Sequence, residues 1–308
     1  MIGLCKPNRV KKSKAKTLLR AARLPFLVLT PVSIFLGYAT SAATSGGIDF
    51  TEAMLVFLGA VAAHISVNTF NEYFDFRSGL DATTSKTPFS GGSGALLDAP
   101  EAAGMVLRLA VATLLATILI GLYFVFERGL LLLPIGIAGV LIVATYTQWL
   151  NRHPILCLVA PGIGFGPLMV TGTQVALTGE YTTTALLVSL VPFFLASNLL
   201  LLNQYPDIAA DRSVGRKHVP IAYGVRNSSI LYGAFAASAC IVILGGVWTG
   251  ALPGASCLAL VPMGLTVIVF HGAIHHEGST GKLIPYLGLN VVVAITTPLV
   301  LATSILIS

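Results

Sequence analysis

The sequence predicts an all-α, polytopic membrane protein with nine transmembrane helices in one bundle. Only 10% of its 308 residues are charged and 55% are hydrophobic, whereas a soluble domain carries about 25% charged residues. The hydrophobic residues are grouped into nine runs, each close to the roughly 20 residues that span the hydrocarbon core of a bilayer. The basic residues are concentrated in alternate segments between these runs. Together these observations indicate a single transmembrane domain, residues 1–308.

The nine runs follow one another with short connecting loops. They lie at residues 22–43, 52–74, 103–126, 130–150, 154–177, 183–204, 228–250, 253–272 and 284–306. Before the first run, residues 1–20 form a basic tail that lacks the apolar core and cleavage site of a secretory signal peptide. The four cysteines are scattered without a C-x-x-C pair, which indicates neither a disulfide framework nor a zinc site.

The placement of the basic residues predicts the orientation. With the N-terminus in the cytoplasm, 17 of the 18 lysines and arginines fall on the cytoplasmic side, if Arg108 near the start of the third helix is counted there. Arg128 is the exception. This asymmetry is what the positive-inside rule describes, so we expect a multi-pass protein of the cell inner membrane. The basic tail is then expected to contact anionic lipid and not nucleic acid.

An acidic motif, N-Q-Y-P-D-I-A-A-D-R-S-V-G-R-K, follows the sixth run and covers residues 203–217. On a helix, Asp207 and Asp211 share one face because they are four residues apart, and Asn203 lies one turn earlier. A helix that merely ends in polar residues explains one acid, but explains two at this spacing less well. Carboxylates beside basic groups would suit Mg²⁺ held against phosphate oxygens. The hydrogen-bonding or cationic residues that follow are Arg212, Ser213, Arg216 and Lys217.

A second acidic motif, N-E-Y-F-D-F-R-S-G-L-D, follows the second run at residues 71–81. Asn71 and Asp75 repeat the spacing of Asn203 and Asp207. Gly79 is expected to end the helix, so that Asp81 returns by a turn. The two motifs are 132 residues apart (71 to 203), an interval of four predicted helices, which places both at the same end of the bundle.

Two residues flank this second motif. Asn68 lies one turn before Asn71 and extends the polar stripe, whereas Glu72 is expected to point elsewhere on the helix as a peripheral candidate. Ionisable groups at a membrane boundary usually mark function.

The two motifs together resemble the aspartate-rich motifs of the UbiA-type intramembrane prenyltransferases, and the nine-helix layout is similar over nearly the whole chain. The resemblance implies a central cavity in which Mg²⁺ ions bridge the motif acids to the diphosphate of a polyprenyl donor, whose chain is transferred to an aromatic acceptor. It implies catalytic roles for Asn71, Asp75, Asn203, Asp207 and Asp211. The implied metal ligands are Asp75, Asp81, Asp207 and Asp211.

The basic residues near the motifs are candidate diphosphate contacts, because a leaving diphosphate requires its developing charge to be neutralised. They are Arg77, Lys86, Arg212, Arg216 and Lys217; the alternative is that each serves only orientation. The segment T-Y-T-Q-W-L-N-R, residues 145–152, resembles a family segment that carries a Tyr and a basic residue. This resemblance adds Arg152 to the candidate diphosphate contacts. It makes Tyr146, together with Asn68, a candidate substrate contact. An interfacial aromatic anchor explains the segment equally well.

Two loops remain open to interpretation. The segment T-P-F-S-G-G-S-G, residues 87–94, is not a Walker motif; its backbone N–H groups could meet phosphate oxygens, or it could be a plain linker. His271, His275, His276 and Glu277 provide no third ligand at a fixed spacing, so solvated loop histidines are expected there in preference to a metal site.

These features predict a Mg²⁺-dependent membrane prenyltransferase that acts on a quinone precursor. The first motif along the chain resembles the dihydroxynaphthoate branch of menaquinone synthesis; 4-hydroxybenzoate, haem or another lipophilic ring are the alternative acceptors. A secondary transporter is a rival, although transport sites lie near the bilayer midplane and these acids lie at helix ends. An enzyme acting on an activated alcohol phosphatide would carry D-G-x-x-A-R, which is absent from the sequence.

Overall fold

The computed structural model describes residues 14–84, 86–276 and 279–308, and these residues form helices without any strand. Within them, eight helical segments are long and apolar enough to cross a membrane, and a ninth apolar helix, Leu130–Thr145, is shorter. The predicted all-α membrane fold is confirmed, and the nine segments agree with the nine predicted runs. Residues 1–13, which include most of the basic tail, lie outside the described residues.

The membrane helices are formed by ten α-helical elements. They are α2 (Leu29–Ser45), α3 (Phe50–Ser78), α6 (Ala103–Arg128), α7 (Leu133–Thr145), α8 (Pro154–Ile163), α9 (Gly172–Thr178), α10 (Thr183–Asn203), α13 (Val225–Trp248), α15 (Leu265–His275) and α16 (Thr280–Leu306). The shorter helices are α1 (Lys14–Ala21), α4 (Leu80–Thr83), α5 (Ala95–Asp98), α11 (Ile208–Ser213), α12 (Val219–Tyr223) and α14 (Leu260–Met263). A π-helical stretch, Gly164–Thr171, joins α8 to α9 in one span.

The bundle is built by helix pairs that pack along much of their length: α3 with α6, α10 with α13, and α2 with α16. Small residues allow the closest approaches, as is usual between membrane helices. Gly162 and Gly166 lie directly against α10, at Phe193 and Ser189, where a Cβ atom would meet that helix's backbone. Large apolar side chains such as Phe126 and Trp248 remain exposed, which suits an outer surface in contact with lipid.

Two helix ends position the acidic motifs. Helix α3 ends at Gly79, which adopts the left-handed conformation with φ 79°, and α4 then carries Asp81, as the sequence predicts. Helix α10 ends at Asn203, and a turn leads to Asp207, which caps α11. The motif at residues 203–217 is therefore not one continuous helix, because Pro206 disfavours helical backbone in the residue before it.

Candidate active site

A cavity of about 1090 Å³ opens between the ends of α3 and α10 and continues deep into the bundle. Along α3 its lining extends from Val56 to Asp75, a distance of about 28 Å at about 1.5 Å per residue. Its deep end is apolar and includes Ile34, Phe124 and Leu132. Its mouth is polar, so the cavity combines a charged site at the mouth with a long apolar channel behind it.

The structure brings the two acidic motifs together at this mouth. Arg216 donates to Asp211 Oδ1 at 2.9 Å through Nη1, and its Nη2 pairs with Asp75. One guanidinium therefore links residues that are 136 positions apart (75 to 211). Burial disfavours the charged form of Arg216, but the carboxylates of Asp75 and Asp211 outweigh it and raise the pKa of Arg216. The cavity lining includes every predicted catalytic and metal-binding residue, together with both predicted substrate contacts: Asn68, Asn71, Asp75, Asp81, Tyr146, Asn203, Asp207 and Asp211.

Three oxygens at the mouth are buried and lack a hydrogen-bond partner: Asp81 Oδ2, Asn203 Oδ1 and Asp207 Oδ1. Burial, with the nearby carboxylates of Glu72 and Asp75, raises the pKa of Asp81 to about 7. Burial, with Asp211, does the same for Asp207, whose pKa is also about 7. Buried polar atoms are normally satisfied, so these oxygens fit a ligand or cation that supplies positive charge.

The chemistry of these donors fits Mg²⁺, which prefers oxygen ligands and usually completes its shell with water and phosphate. Among the described residues, no group of three or more His, Cys, Asp or Glu side chains is arranged to hold a metal ion by itself. The protein oxygens would therefore share a cation with a phosphate-bearing ligand.

The loop Thr87–Gly94, here called the glycine strap, lies at the cavity mouth. The Gly91 N–H donates to Asp207 Oδ2 at 3.1 Å. Gly92 has φ 67°, and a Cβ there would lie 2.7 Å from Asp81 Oδ1, so only glycine fits this position without strain. The strap thus contacts an acid from each motif.

Glu72 anchors the glycine strap from behind. It is fully buried and accepts hydrogen bonds from Ser93 Oγ at 2.7 Å, Ser93 N at 3.2 Å and Ala95 N at 2.9 Å. The sequence predicts correctly that Glu72 does not share the face of Asn71 and Asp75, because Glu72 does not line the cavity. Its function as the fixed end of the strap is not apparent from helical spacing.

Sequence reasoning also missed two polar neighbours of the motif residues. Arg23 lines the cavity and donates to Asn71 Oδ1 at 2.8 Å. It has φ 54°, an uncommon backbone conformation for a residue other than glycine. His218 is buried, with Nε2 3.0 Å from Asp211 Oδ2. In the sequence, Arg23 looks like the other basic residues near the N-terminus. The only feature that could have distinguished it is its position directly before Leu24.

The predicted diphosphate contacts separate into four groups. Arg216 lines both the cavity and a second pocket beside it, whereas Arg77 and Arg152 line only that second pocket. Arg212 and Lys217 are exposed and line neither pocket. Lys86 is an exposed residue of the loop before the strap, and its Nζ lies over Gly94.

The histidines near the last loop lie apart from this site. His271 and His275 stack with ring centroids 4.0 Å apart and are exposed. Glu277 lies outside the described residues.

Comparison with known proteins gives one family and two related sequences. The model of the UbiA prenyltransferase family matches residues 30–281. A 1,4-dihydroxy-2-naphthoate octaprenyltransferase from Bacillus subtilis is 29% identical over 210 residues, which are 66% of this chain and 65% of that protein. The protein of the same name from Haemophilus influenzae is 24% identical over 230 residues, 73% of this chain and 75% of the relative.

Several solved structures share this fold, and one of them illustrates the likeness. It is a UbiA homolog from Archaeoglobus fulgidus bound to DMAPP and Mg²⁺, with a TM-score of 0.67 at 14% identity. The superposition covers 93% of this chain and 99% of the archaeal one.

Proposed function

Because the chain belongs to the UbiA prenyltransferase family, we propose that it transfers a polyprenyl group from a polyprenyl diphosphate to an aromatic acceptor. The observation that carries this proposal is the meeting of the two acidic motifs at the polar mouth of a long apolar cavity. The charged mouth matches the diphosphate of such a donor, and the apolar channel matches its isoprenoid tail.

The proposed acceptor is 1,4-dihydroxy-2-naphthoate. Both related sequences are named as octaprenyltransferases that act on this compound. The archaeal protein with the same fold binds an isoprenoid diphosphate together with Mg²⁺, which supports the donor class and a divalent cation. The basic residues are concentrated at the mouth end of the bundle, which supports a mouth that faces the cytoplasm. The bundle would then lie in the cell inner membrane.

The residues that would hold Mg²⁺ are the four motif acids, Asp75, Asp81, Asp207 and Asp211, with Asn203 beside them. When bound, the cation would neutralise charge on the diphosphate. Arg23 and Arg216 place two further positive charges at the same end of the cavity. They would stabilise the diphosphate as it becomes a leaving group, because a preorganised charge in a buried site acts more strongly than one in water.

In the transfer itself, the bond between the donor's C1 and the diphosphate oxygen breaks, and the electron pair leaves with the diphosphate. An acceptor ring carbon then donates its pair to C1, and the ring loses a proton to regain aromaticity. The apolar walls exclude water from the allylic carbon. The glycine strap would close the mouth over the diphosphate and favour transfer over hydrolysis.

A direct test uses purified protein in detergent with radiolabelled polyprenyl diphosphate and each of three acceptors: 1,4-dihydroxy-2-naphthoate, 4-hydroxybenzoate and haem. We expect a labelled product with the naphthoate, and loss of that product when a magnesium chelator is added. Labelling of 4-hydroxybenzoate alone would refute the proposed acceptor. Activity that a chelator does not change would refute the metal requirement.

A further inference from the structure

A second pocket, here called the side pocket, lies beside the cavity mouth and has a volume of about 500 Å³. Asp75 and Arg216 line both spaces. The Asp75–Arg216 ion pair is therefore the wall between them. The other charged residues of the side pocket are Arg77 and Arg152, and Phe74 and Asn151 complete much of its lining.

The side pocket has an excess of positive charge. It contains three guanidinium groups against one carboxylate, Asp75, among its described lining residues, and that carboxylate is already paired with Arg216. Arg77 and Arg152 are exposed, and their guanidinium groups make no hydrogen bond or ion pair in the part of the chain that the structure describes. A concave surface with unpaired guanidinium groups is suited to a multiply charged anion, because the planar fork of arginine matches phosphate oxygens.

The glycine strap limits the exit of such an anion through the mouth of the main cavity. At its mouth the glycine strap is bonded to Asp207 and to Glu72, and its interior is apolar. A diphosphate that has lost its prenyl chain has no affinity for the apolar channel, which the prenylated product still occupies. Asp75 and Arg216 line both spaces, so they form a polar connection from the motif acids to the side pocket.

We propose that the side pocket is a binding site for the inorganic diphosphate released by the reaction. Arg216 would hold the diphosphate from the cavity side, and Arg77 and Arg152 would receive it on the cytoplasmic side. This inference rests on the proposed function. It separates the predicted diphosphate contacts by role: Arg216 serves the bound donor, and Arg77 with Arg152 serve the product.

The first experiment measures binding without turnover. The main cavity is filled with a non-reactive thiolodiphosphate analogue of the donor, and binding of radiolabelled inorganic diphosphate is then measured. Wild-type protein should retain a binding site, and Arg77→Gln with Arg152→Gln should weaken it at least about tenfold, since hydrogen bonds to charged groups are lost. The matched control, Arg212→Gln with Lys217→Gln, removes two exposed bases that line neither pocket and should leave the site unchanged.

Several results would overturn the proposal. They are the absence of diphosphate binding once the cavity is filled, equal loss in the control, and displacement of the diphosphate by the acceptor, which would assign the pocket to the acceptor's carboxylate. Diphosphate binding itself is measured without the acceptor, so that measurement is independent of the transfer assay. A protein that binds diphosphate here but transfers no prenyl group would contradict only the proposed function.

The second experiment separates release from chemistry. In Arg77→Gln with Arg152→Gln, the single-turnover rate and the KM for the donor should stay within about twofold of wild type. Steady-state kcat should fall by about fivefold or more, because diphosphate that the side pocket no longer receives through charge-assisted contacts stays longer at the mouth of the main cavity. A single-turnover rate that falls in proportion to kcat would place the two arginines in the transfer step and contradict a role in release. Thermal unfolding of each variant in detergent verifies that the bundle is intact.

Discussion

The two acidic motifs share the spacing from Asn to Asp, and in each of them one aspartate is held by an ion pair while another keeps an oxygen without a partner. Asp75 and Asp211 share Arg216, and Asp211 also contacts His218. Asp81 and Asp207 each keep a buried oxygen without a partner. The difference shows how one site can be both stable and reactive. One aspartate of each motif links the two halves through Arg216, and the other already has an unpartnered oxygen for a cation.

The largest expected effect distinguishes these two kinds of acid. Asp207→Ala and Asp75→Ala should each lower prenyl transfer at least about 100-fold, because charge stabilisation of the leaving group is lost. Only Asp75→Ala should also lower stability, by about 3 kcal/mol, since it removes one partner of a buried ion pair. Transfer assays and thermal unfolding in detergent measure the two effects. Equal destabilisation by both substitutions would show that the acids do not differ in this way.

A smaller effect is expected from the anchor of the glycine strap. Glu72→Gln keeps the size of the side chain but turns an amide N–H₂ group toward the donors on Ser93 and Ala95. We expect the KM for the donor to rise about tenfold, as charged hydrogen bonds are lost, with a smaller change in kcat. Ser93→Ala removes a single hydroxyl contact and provides a graded comparison. An unchanged KM in Glu72→Gln would mean that the strap does not hold the diphosphate.

The unsatisfied acids also predict a dependence of stability on pH. The pKa of Asp81 and of Asp207 is about 7 in the folded protein, against about 3.9 in an unfolded chain. Between these values the folded state binds more protons, so the free energy of unfolding of the metal-free protein should fall as pH rises from about 4 to about 7.

Thermal unfolding in the presence of a chelator measures this slope. Mg²⁺ added at about pH 8 should offset the loss by binding the folded state. The double variant Asp81→Asn, Asp207→Asn is the control and should show a shallower slope. The same slope in the variant would contradict the assignment to these two acids.

The smallest expected effect concerns the histidines outside the site. Because His271 and His275 are exposed and stack on one another, their joint replacement by alanine should change kcat and the Mg²⁺ requirement by less than about twofold, as is usual for surface changes. A large loss of activity would reveal a contribution of the last loop to the mouth.

The fold and the acidic centre of the site could be predicted from sequence. Their signals come from short local patterns or from the distribution of residue types along the whole chain. The apolar runs and the alternation of basic and non-basic connecting segments predict the helix layout. The spacing of Asn71 and Asp75, repeated at Asn203 and Asp207, predicts that the two motifs meet. Gly79 predicts the end of α3.

The partners of these acids could not be predicted, since they depend on how distant segments pack. Arg77 and Arg216 both belong to an acidic motif, but only the fold shows that Arg77 lines the side pocket alone, whereas Arg216 lines both the side pocket and the cavity. Glu72 lies beside Asn71 in sequence and contacts a loop more than 20 residues away. In the sequence, Arg23 is one of many basic residues near the N-terminus. Only the folded bundle shows that it donates a hydrogen bond to Asn71.

The apolar helix Leu130–Thr145, which is shorter than the other eight membrane segments, affects the surrounding lipid. Leu130–Thr145 contains 16 residues, or about 24 Å of helix, against a hydrocarbon thickness of about 30 Å. No residue of α7 is fully buried, so its neighbours do not shield this mismatch. We expect the bilayer to thin beside α7, which would bring the headgroup region closer to one wall of the cavity than to any other part of the bundle.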